Sequence, residues 1–162
     1  MVRKLVMMGV VAALAGMVIG GATLASADDN GNGGATVFTL RSMTIQDTEI
    51  DLGRSGFSQG DRVAFRDRLT TLDGERVGTA HGDCVFTEVA RDRVRARCGI
   101  TAAFGPHSSL DFAGVLTFTS EETMPFFLSV TGGTGRYIGA EGEARGTELR
   151  PGTVELRVRL VD

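Results

Sequence analysis

Apolar and polar residues alternate with a period of two along much of this 162-residue chain. In the last segment Val154, Leu156, Val158 and Leu160 share one face, and Glu155, Arg157 and Arg159 share the other. Successive side chains of a β-strand point to opposite faces, so this pattern predicts a strand with one buried face. After residue 35, no window keeps apolar residues at helical spacing over three turns. The chain is therefore predicted to be all-β.

Seven further segments have strand character and are separated by turn-like residues. They cover roughly residues 36–44, 62–72, 76–89, 93–103, 109–119, 125–131 and 141–150. Separators such as Asp73-Gly74 and Pro151-Gly152 predict short connections. Closely spaced strands of this kind predict an antiparallel meander that closes into an eight-stranded barrel, because closure removes exposed edges. A two-sheet sandwich is the alternative. The interior of such a barrel is just wide enough for side chains or for one small ligand.

The first 27 residues have the features of a secretory signal peptide. Arg3 and Lys4 precede an apolar run that extends to Leu24, and Ala25-Ser26-Ala27 forms an A-x-A cleavage site. A retained membrane anchor is the alternative, because the run is just long enough to cross a bilayer. We expect cleavage, secretion and no stable membrane anchor afterwards. Residues 28–35 are then predicted to be a flexible leader rich in Gly, Asp and Asn, and residues 36–162 a single β-barrel domain.

Charge and motif spacing argue against several functions. Residues 28–162 contain 15 Arg, no Lys and 20 acidic residues, a formal net charge of 15 − 20 = −5. An acidic domain without a dense basic patch is not expected to bind nucleic acid. The glycine-rich run 132–135 lacks the spacing of a phosphate-binding loop. Neither His81 nor His107 has a second ligand at a recognised spacing, so we expect no metal site and no cofactor.

Cys84 and Cys98 fall in one predicted hairpin centred on Arg91. A register in which paired positions sum to 182 places the two cysteines opposite each other. In an exported chain this arrangement favours a cross-strand disulfide. Two reduced, buried cysteines are the alternative. The same register turns Phe86 and Glu88 to the face of the cysteines, and the row Arg93, Arg95 and Arg97 to solvent.

Polar residues on otherwise apolar faces are the candidates for chemistry. Asp67 shares a face with Val63, Phe65 and Leu69. An ionised carboxylate there is penalised unless it finds a partner, which makes Asp67 a candidate for proton transfer. The alternative is structural: Asp67 pairs with an arginine or a backbone N–H and holds the barrel in register.

Glu88 and Arg41 are the other two candidates for catalysis. Glu88 lies on the Phe86 face near the hairpin end, where water can reach it. Arg41 enters the same space if the face of Val37 is the inner face of the first strand. The predicted apolar lining of the cavity consists of Phe65, Phe86, Phe112 and Phe118.

Three stretches, residues 60–69, 76–85 and 130–142, resemble the allene oxide cyclase and dirigent superfamily of small β-barrels. The last is the most specific, since dirigent proteins carry a similar Gly-Gly-Thr-Gly followed by an aromatic residue and Ala-x-Gly. The resemblance implies an eight-stranded barrel whose interior binds a hydrophobic small molecule, often in a trimer. It also implies that Cys84 lines the pocket and that Tyr137 lies near its mouth, because family members carry a cysteine and an aromatic residue at these positions.

The resemblance leaves the activity open. Allene oxide cyclases isomerise an unstable fatty-acid epoxide, and dirigent proteins steer the coupling of phenoxy radicals. The glutamate and asparagine of the cyclase first strand correspond here to Thr39 and Arg41, and Arg41-Ser42 does not match the dirigent aspartate. The first hypothesis is an exported cyclase or isomerase that folds a hydrophobic substrate in the barrel, with Asp67, Arg41 or Glu88 transferring protons or stabilising charge. The second is a non-catalytic, dirigent-like or lipocalin-like binder. A filled barrel with an external interaction surface is the third.

Overall fold

The computed structural model describes residues 35–119 and 125–161. The predicted signal peptide and residues 28–34 of the predicted leader lie outside this part of the chain. The strands are β1 (Ala35–Ile50), β2 (Arg62–Thr70), β3 (Arg76–Val89), β4 (Arg93–Ala103), β5 (Ser109–Thr119), β6 (Phe126–Thr134), β7 (Glu141–Arg150) and β8 (Thr153–Val161). A one-turn 3-10 helix, Gly135–Tyr137, follows β6. Over the described ranges, no helix has the length and apolar character needed to cross a membrane.

The eight strands form one closed antiparallel barrel in sequence order. Each strand pairs with the next, and β1 closes the barrel by pairing with β8 from Ala35↔Val161 to Met43↔Thr153. The predicted eight-stranded barrel is therefore confirmed, and the two-sheet sandwich is wrong. Closure gives both outer strands of the meander a hydrogen-bonding partner, which removes the exposed edges.

Most predicted strand boundaries hold, and the two largest differences have local causes. β1 continues to Ile50 instead of ending near residue 44, because a register shift between Thr44 and Gln46 interrupts its alternation. β6 continues to Thr134, since its glycine-rich end pairs with the start of β5 at Ser109↔Thr134. The sequence pattern places both extensions in loops because neither keeps a period of two.

The barrel has two ends, which we call upper and lower. The upper end holds Ile50 and the start of β8, and the lower end holds the start of β1 and the 3-10 helix. Two apolar clusters fill the interior. The lower cluster is built from residues that include Leu69, Leu110 and Val158, each at most 1% exposed. The upper cluster is Cys84, Phe86, Val94, Ala96 and Cys98.

Residues 51–61 connect β1 to β2 at the upper end and are held by Asp61. This carboxylate is 4% exposed and accepts hydrogen bonds from the backbone N–H groups of Leu52 and Ser58 at 2.8 and 2.7 Å. Phe57 of the same loop packs edge-on against Phe86, with 4.5 Å between ring centroids. The loop therefore has a fixed conformation against the upper cluster.

Candidate functional site

Asp67 lies inside the barrel, at the boundary between the two apolar clusters. It is 9% exposed, and it points inward because it shares the face of Leu69 on β2. The hydroxyl of Ser42, on β1, donates a hydrogen bond to Asp67 Oδ2 at 2.6 Å. Oδ1 is buried and has no hydrogen-bond partner within the described residues. One oxygen of the carboxyl is thus fixed, and the hydrogen-bonding capacity of the other is left unsatisfied.

Burial raises the pKa of Asp67 above its ordinary value, because an apolar environment penalises the ionised form. The hydrogen bond from the Ser42 hydroxyl, the nearby hydroxyl of Thr44 and the charge of His81 partly oppose this increase of the pKa. A carboxyl group with a raised pKa can give or take a proton nearer neutral pH than an ordinary aspartate. The predicted inward orientation of Asp67 and the penalty on its charge are confirmed. The partner is a serine hydroxyl, not the arginine or backbone N–H considered from the sequence.

The upper half of the interior keeps some exposed apolar surface. Outside the upper cluster, the inward-facing residues here are only half-buried, and several of them pack against one of the two clusters. This lining, which we call the upper chamber, consists of Val63, Phe65, Leu116, Phe126, Val154 and Leu156. Its apolar character suits a hydrophobic molecule, and Asp67 with Ser42 supplies the polar group that such pockets use to orient a ligand.

A second carboxylate, Glu148, belongs to the same region. On β7 the buried residues Ala144 and Gly146 face inward, and Glu148 continues this line. It pairs with Val154 of β8, which in turn pairs with Ser42 of β1. Glu148 was not predicted from the sequence. The inward-facing residues before it on β7 are small and give a weak apolar pattern: Gly142, Ala144 and Gly146. Ser42 was missed because the inner face of β1 was left ambiguous.

Cys84 and Cys98 form a disulfide across β3 and β4, with 4.1 Å between their Cα atoms. The predicted pairing and register are confirmed. Both residues point inward, 6% and 2% exposed. Cys84 therefore belongs to the upper cluster as a bonded half-cystine, and the alternative of two reduced cysteines is wrong.

Glu88 and Arg41 lie away from Asp67. The β3–β4 register shifts after Phe86, so Glu88 pairs with Arg95 instead of continuing the line of Phe86. It forms ion pairs with Arg93 and Arg95 at 2.5 and 3.4 Å, and all three side chains are at least one-third exposed. The hydrogen bond from Arg93 lowers the pKa of Glu88. The expected inward position of Glu88 is thus corrected to a surface ion pair, which leaves its carboxylate ionised near neutral pH.

The inner face of β1 is the one that carries Leu40 and Ser42, both at most 9% exposed. Arg41 is therefore on the outer face, together with Val37. It was expected inside the barrel only if the face of Val37 were the inner face, so its position is corrected to the outside. Its Nη1 donates to the backbone oxygen of Leu72 at 3.4 Å.

The four phenylalanines predicted to line the cavity lie in different parts of the barrel. Phe65 belongs to the upper chamber, and Phe86 and Phe112 are buried in the two clusters, 7% and 3% exposed. Phe118 is 47% exposed at the end of β5, so its predicted enclosure in the barrel is wrong. Tyr137 lies at the lower end in the 3-10 helix, where it packs against Phe104 with 5.4 Å between centroids. It is remote from the upper chamber.

The outside of the barrel carries two open depressions. One, of about 550 Å³, is lined by residues of β3 to β6 that include His81, Asp83 and Asp111. The other, of about 230 Å³, lies across β1 to β3 beside Ala64 and Arg66. Neither contains Asp67. Within residues 35–119 and 125–161, no group of three His, Cys, Asp or Glu side chains is placed to hold a metal ion.

Sequence and structure comparisons agree with this architecture. A family model described as allene oxide cyclase barrel-like domain matches residues 41–160. The chain belongs to this family. Its barrel is of the kind found in dirigent proteins and in cyclases. A search of curated proteins found no match.

Three solved structures illustrate the relationship. A pyocyanin demethylase is 28% identical, with 78% of this chain and 100% of that chain covered and a TM-score of 0.66. A pterocarpan synthase dirigent protein is 19% identical, with 78% and 84% covered and a TM-score of 0.62. A Diels-Alderase from Streptomyces koyangensis is 16% identical, with 82% and 70% covered and a TM-score of 0.63. The last two likenesses establish the fold only.

Proposed function

We propose that the protein binds a hydrophobic small molecule in the upper chamber and that Asp67 transfers a proton to or from it during an isomerisation or cyclisation. The observation that carries this proposal is the buried Oδ1 of Asp67, which has no hydrogen-bond partner among the described residues and lies among half-buried apolar side chains. Burial raises the pKa of this carboxyl, as is typical of general acids and bases. The walls would hold the substrate in one productive conformation away from water.

Glu148 is the second carboxylate of the proposed site. It is half-buried on the inner face of β7, three strands around the wall from β2, and would complement Asp67 from there. Two carboxylates in different environments can divide the roles of acid and base. We assign Asp67 the role of the acid, because burial favours its protonated form.

The experiment begins with native mass spectrometry of freshly purified protein. A retained ligand is identified, returned to the wild type and followed by chromatography. Conversion of the ligand supports catalysis, whereas recovery of the unchanged ligand favours a dirigent-like binder.

We expect Asp67→Asn to lower turnover by about 10²- to 10⁴-fold, the usual contribution of general acid–base catalysis. Glu88→Gln is the matched control and is expected to retain wild-type turnover, because Glu88 forms ion pairs on the surface. Wild-type turnover in Asp67→Asn would contradict the assignment.

A second candidate is demethylation of a pyocyanin-like compound. It is favoured by the 28% identity to a pyocyanin demethylase over the whole length of that protein. Incubation of the chain with pyocyanin, followed by mass spectrometry for loss of a methyl group, tests it. An unchanged mass of pyocyanin would exclude this candidate.

We also propose that the protein acts after export and assembles as a homo-oligomer. The disulfide is compatible with an oxidising location. Fractionation of the producing cells tests export, and light scattering coupled to size-exclusion chromatography tests for the trimer that the family resemblance implies. Retention in the cytoplasm or a monomeric mass would contradict the respective proposal.

A further inference from the structure

We propose that Ser42 is a positioning residue that holds Asp67 through Oδ2 and leaves Oδ1 as the carboxyl oxygen that reacts with the substrate. The inference rests on the proposed function and deepens it. Ser42 Oγ donates to Asp67 Oδ2 at 2.6 Å, and Ser42 itself is 9% exposed. Since water has little access to this hydrogen bond, it does not compete effectively for Oδ2.

The strand register explains why Ser42 reaches only one oxygen. Asp67 pairs with Thr44 and Leu69 pairs with Ser42, so Ser42 is the diagonal neighbour of Asp67 on the inner face. The backbone of β1 is regular at this point, and its register shifts only after Thr44. Ser42 therefore approaches Asp67 from the side of Leu69. Oδ1 remains buried without a partner among the described residues.

The direction of this hydrogen bond sets which oxygen carries the proton of Asp67. While Ser42 donates to Oδ2, the protonated acid carries its hydrogen on Oδ1; if the hydroxyl rotates to accept from Oδ2–H, Oδ1 is the acceptor oxygen instead. A hydrogen on Oδ1 is a donor to an acceptor atom of the ligand, such as a carbonyl oxygen. After transfer, Oδ1 becomes the acceptor while Ser42 continues to stabilise the carboxylate.

The same geometry narrows the ligand class. The upper chamber is apolar apart from Ser42, Thr44, Asp67 and Glu148, so a suitable ligand is largely hydrophobic. It carries one oxygen or nitrogen within hydrogen-bond reach of Oδ1, because leaving Oδ1 unpaired in the complex would be costly. An entirely non-polar hydrocarbon does not meet this requirement.

The titration of Asp67 offers a readout that does not depend on finding the substrate. The titratable groups nearest to Asp67 in the strand register are His81 on β3, Arg41 on β1, and Arg66 and Arg68 beside Asp67 on the outer face of β2. Glu148 lies on β7, two strands beyond β1. None of them is changed by a substitution at residue 42. A change in the titration of Asp67 in a Ser42 variant therefore reports on the Ser42 hydrogen bond.

The experiment follows the carboxyl carbon of Asp67 by ¹³C NMR as a function of pH, with the Asp67→Asn spectrum for assignment. We expect Ser42→Ala to shift the titration midpoint to higher pH, because the carboxylate loses a donor while burial persists. Ser42→Thr keeps the hydroxyl and is expected to restore the wild-type midpoint. The control Ser129→Ala, at an exposed position of β6, is expected to leave the midpoint unchanged. Where Ser42→Ala does not fold, Ser42→Cys keeps the size of the side chain with a weaker donor and is expected to give the same shift.

Turnover gives a second readout once a ligand is known. Ser42→Ala is expected to lower kcat about 10- to 100-fold with little change in KM, because the carboxyl is misplaced by a fraction of an ångström to about 1 Å. If the titration midpoint of Asp67 in Ser42→Ala is the same as in the wild type or lower, the proposed role of Ser42 is wrong, whatever the activity of the variant. A raised midpoint in a protein without any turnover supports the role of Ser42 and counts against the proposed function alone.

Discussion

The ring of Phe65 lies over Gly82, so that a Cβ at residue 82 would come within 2.5 Å of Phe65 Cζ. The two residues are paired across β2 and β3, and Phe65 is two residues from Asp67 on the same face. A glycine at this position therefore shapes the wall of the upper chamber.

Gly82→Ala is expected to destabilise the protein by about 1–3 kcal/mol, as overpacking does, since the added Cβ meets the Phe65 ring at 2.5 Å and the backbone oxygen of Gly99 at 2.9 Å. Denaturant unfolding measures the change in the free energy of unfolding. Gly99→Ala is the matched control: a Cβ there meets no atom within 4 Å, and the residue faces outward. Equal losses of stability in the two variants would contradict the packing assigned to Phe65.

The Cys84–Cys98 disulfide closes a loop with a sequence separation of 14 residues. The chain-entropy relation gives about 3 kcal/mol for a loop of this length. We expect the double variant Cys84→Ser/Cys98→Ser to lose stability of this order in urea unfolding. Mass spectrometry of the unreduced wild-type protein checks the bond itself, and two free thiols would contradict the structure.

Asp67 is expected to make stability depend on pH. Its pKa is raised in the folded protein, so the folded state holds the proton more tightly than the unfolded state. Stability therefore falls as the pH rises from the ordinary pKa of 3.8 through the raised pKa of the folded protein. Asp67→Asn removes this loss, and we expect its Tm to exceed that of the wild type above the raised pKa, by a few degrees at pH 8. Thermal unfolding from about pH 3.5 to pH 8 compares the two proteins, and parallel Tm curves would contradict the burial of the charge.

Asp61 is expected to hold the loop 51–61 in place, with the opposite pH dependence. The backbone N–H groups of Leu52 and Ser58 lower the pKa of Asp61. Its contribution to stability is present above the ordinary pKa of 3.8 and is lost as the pH falls through the lowered pKa. Asp61→Ala should accelerate amide hydrogen exchange in the loop at neutral pH.

Asp51→Ala is the control for this experiment, because Asp51 accepts a single exposed hydrogen bond, from the N–H of Gly56. It is expected to change exchange only near Gly56. Wild-type protection of the whole loop in Asp61→Ala would show that the carboxylate is not what fixes it.

The fold and the site could be predicted from the sequence only where a strand shows clear alternation of apolar and polar residues. Where large apolar residues alternate with polar ones, as on β3, β4 and β8, strand bounds, register and the disulfide could be predicted. The prediction for Glu88 was wrong because a one-residue shift in register after Phe86 cannot be read from alternation alone. Glu148 escaped notice because its neighbours on the inner face are small. Asp67 was found because large apolar residues surround it in sequence as well as in space.

A fluorescence titration with Nile red, a neutral apolar dye that carries a carbonyl group, tests whether the ligand site is the upper chamber beside Asp67. Leu156→Trp fills the chamber, and Gly99→Trp fills the larger outer depression. Circular dichroism checks that both variants are folded. If the upper chamber is the site, binding to the wild type is saturable, is retained in Gly99→Trp and is lost in Leu156→Trp. Absence of saturable binding, or its loss in Gly99→Trp alone, would exclude the upper chamber as the site.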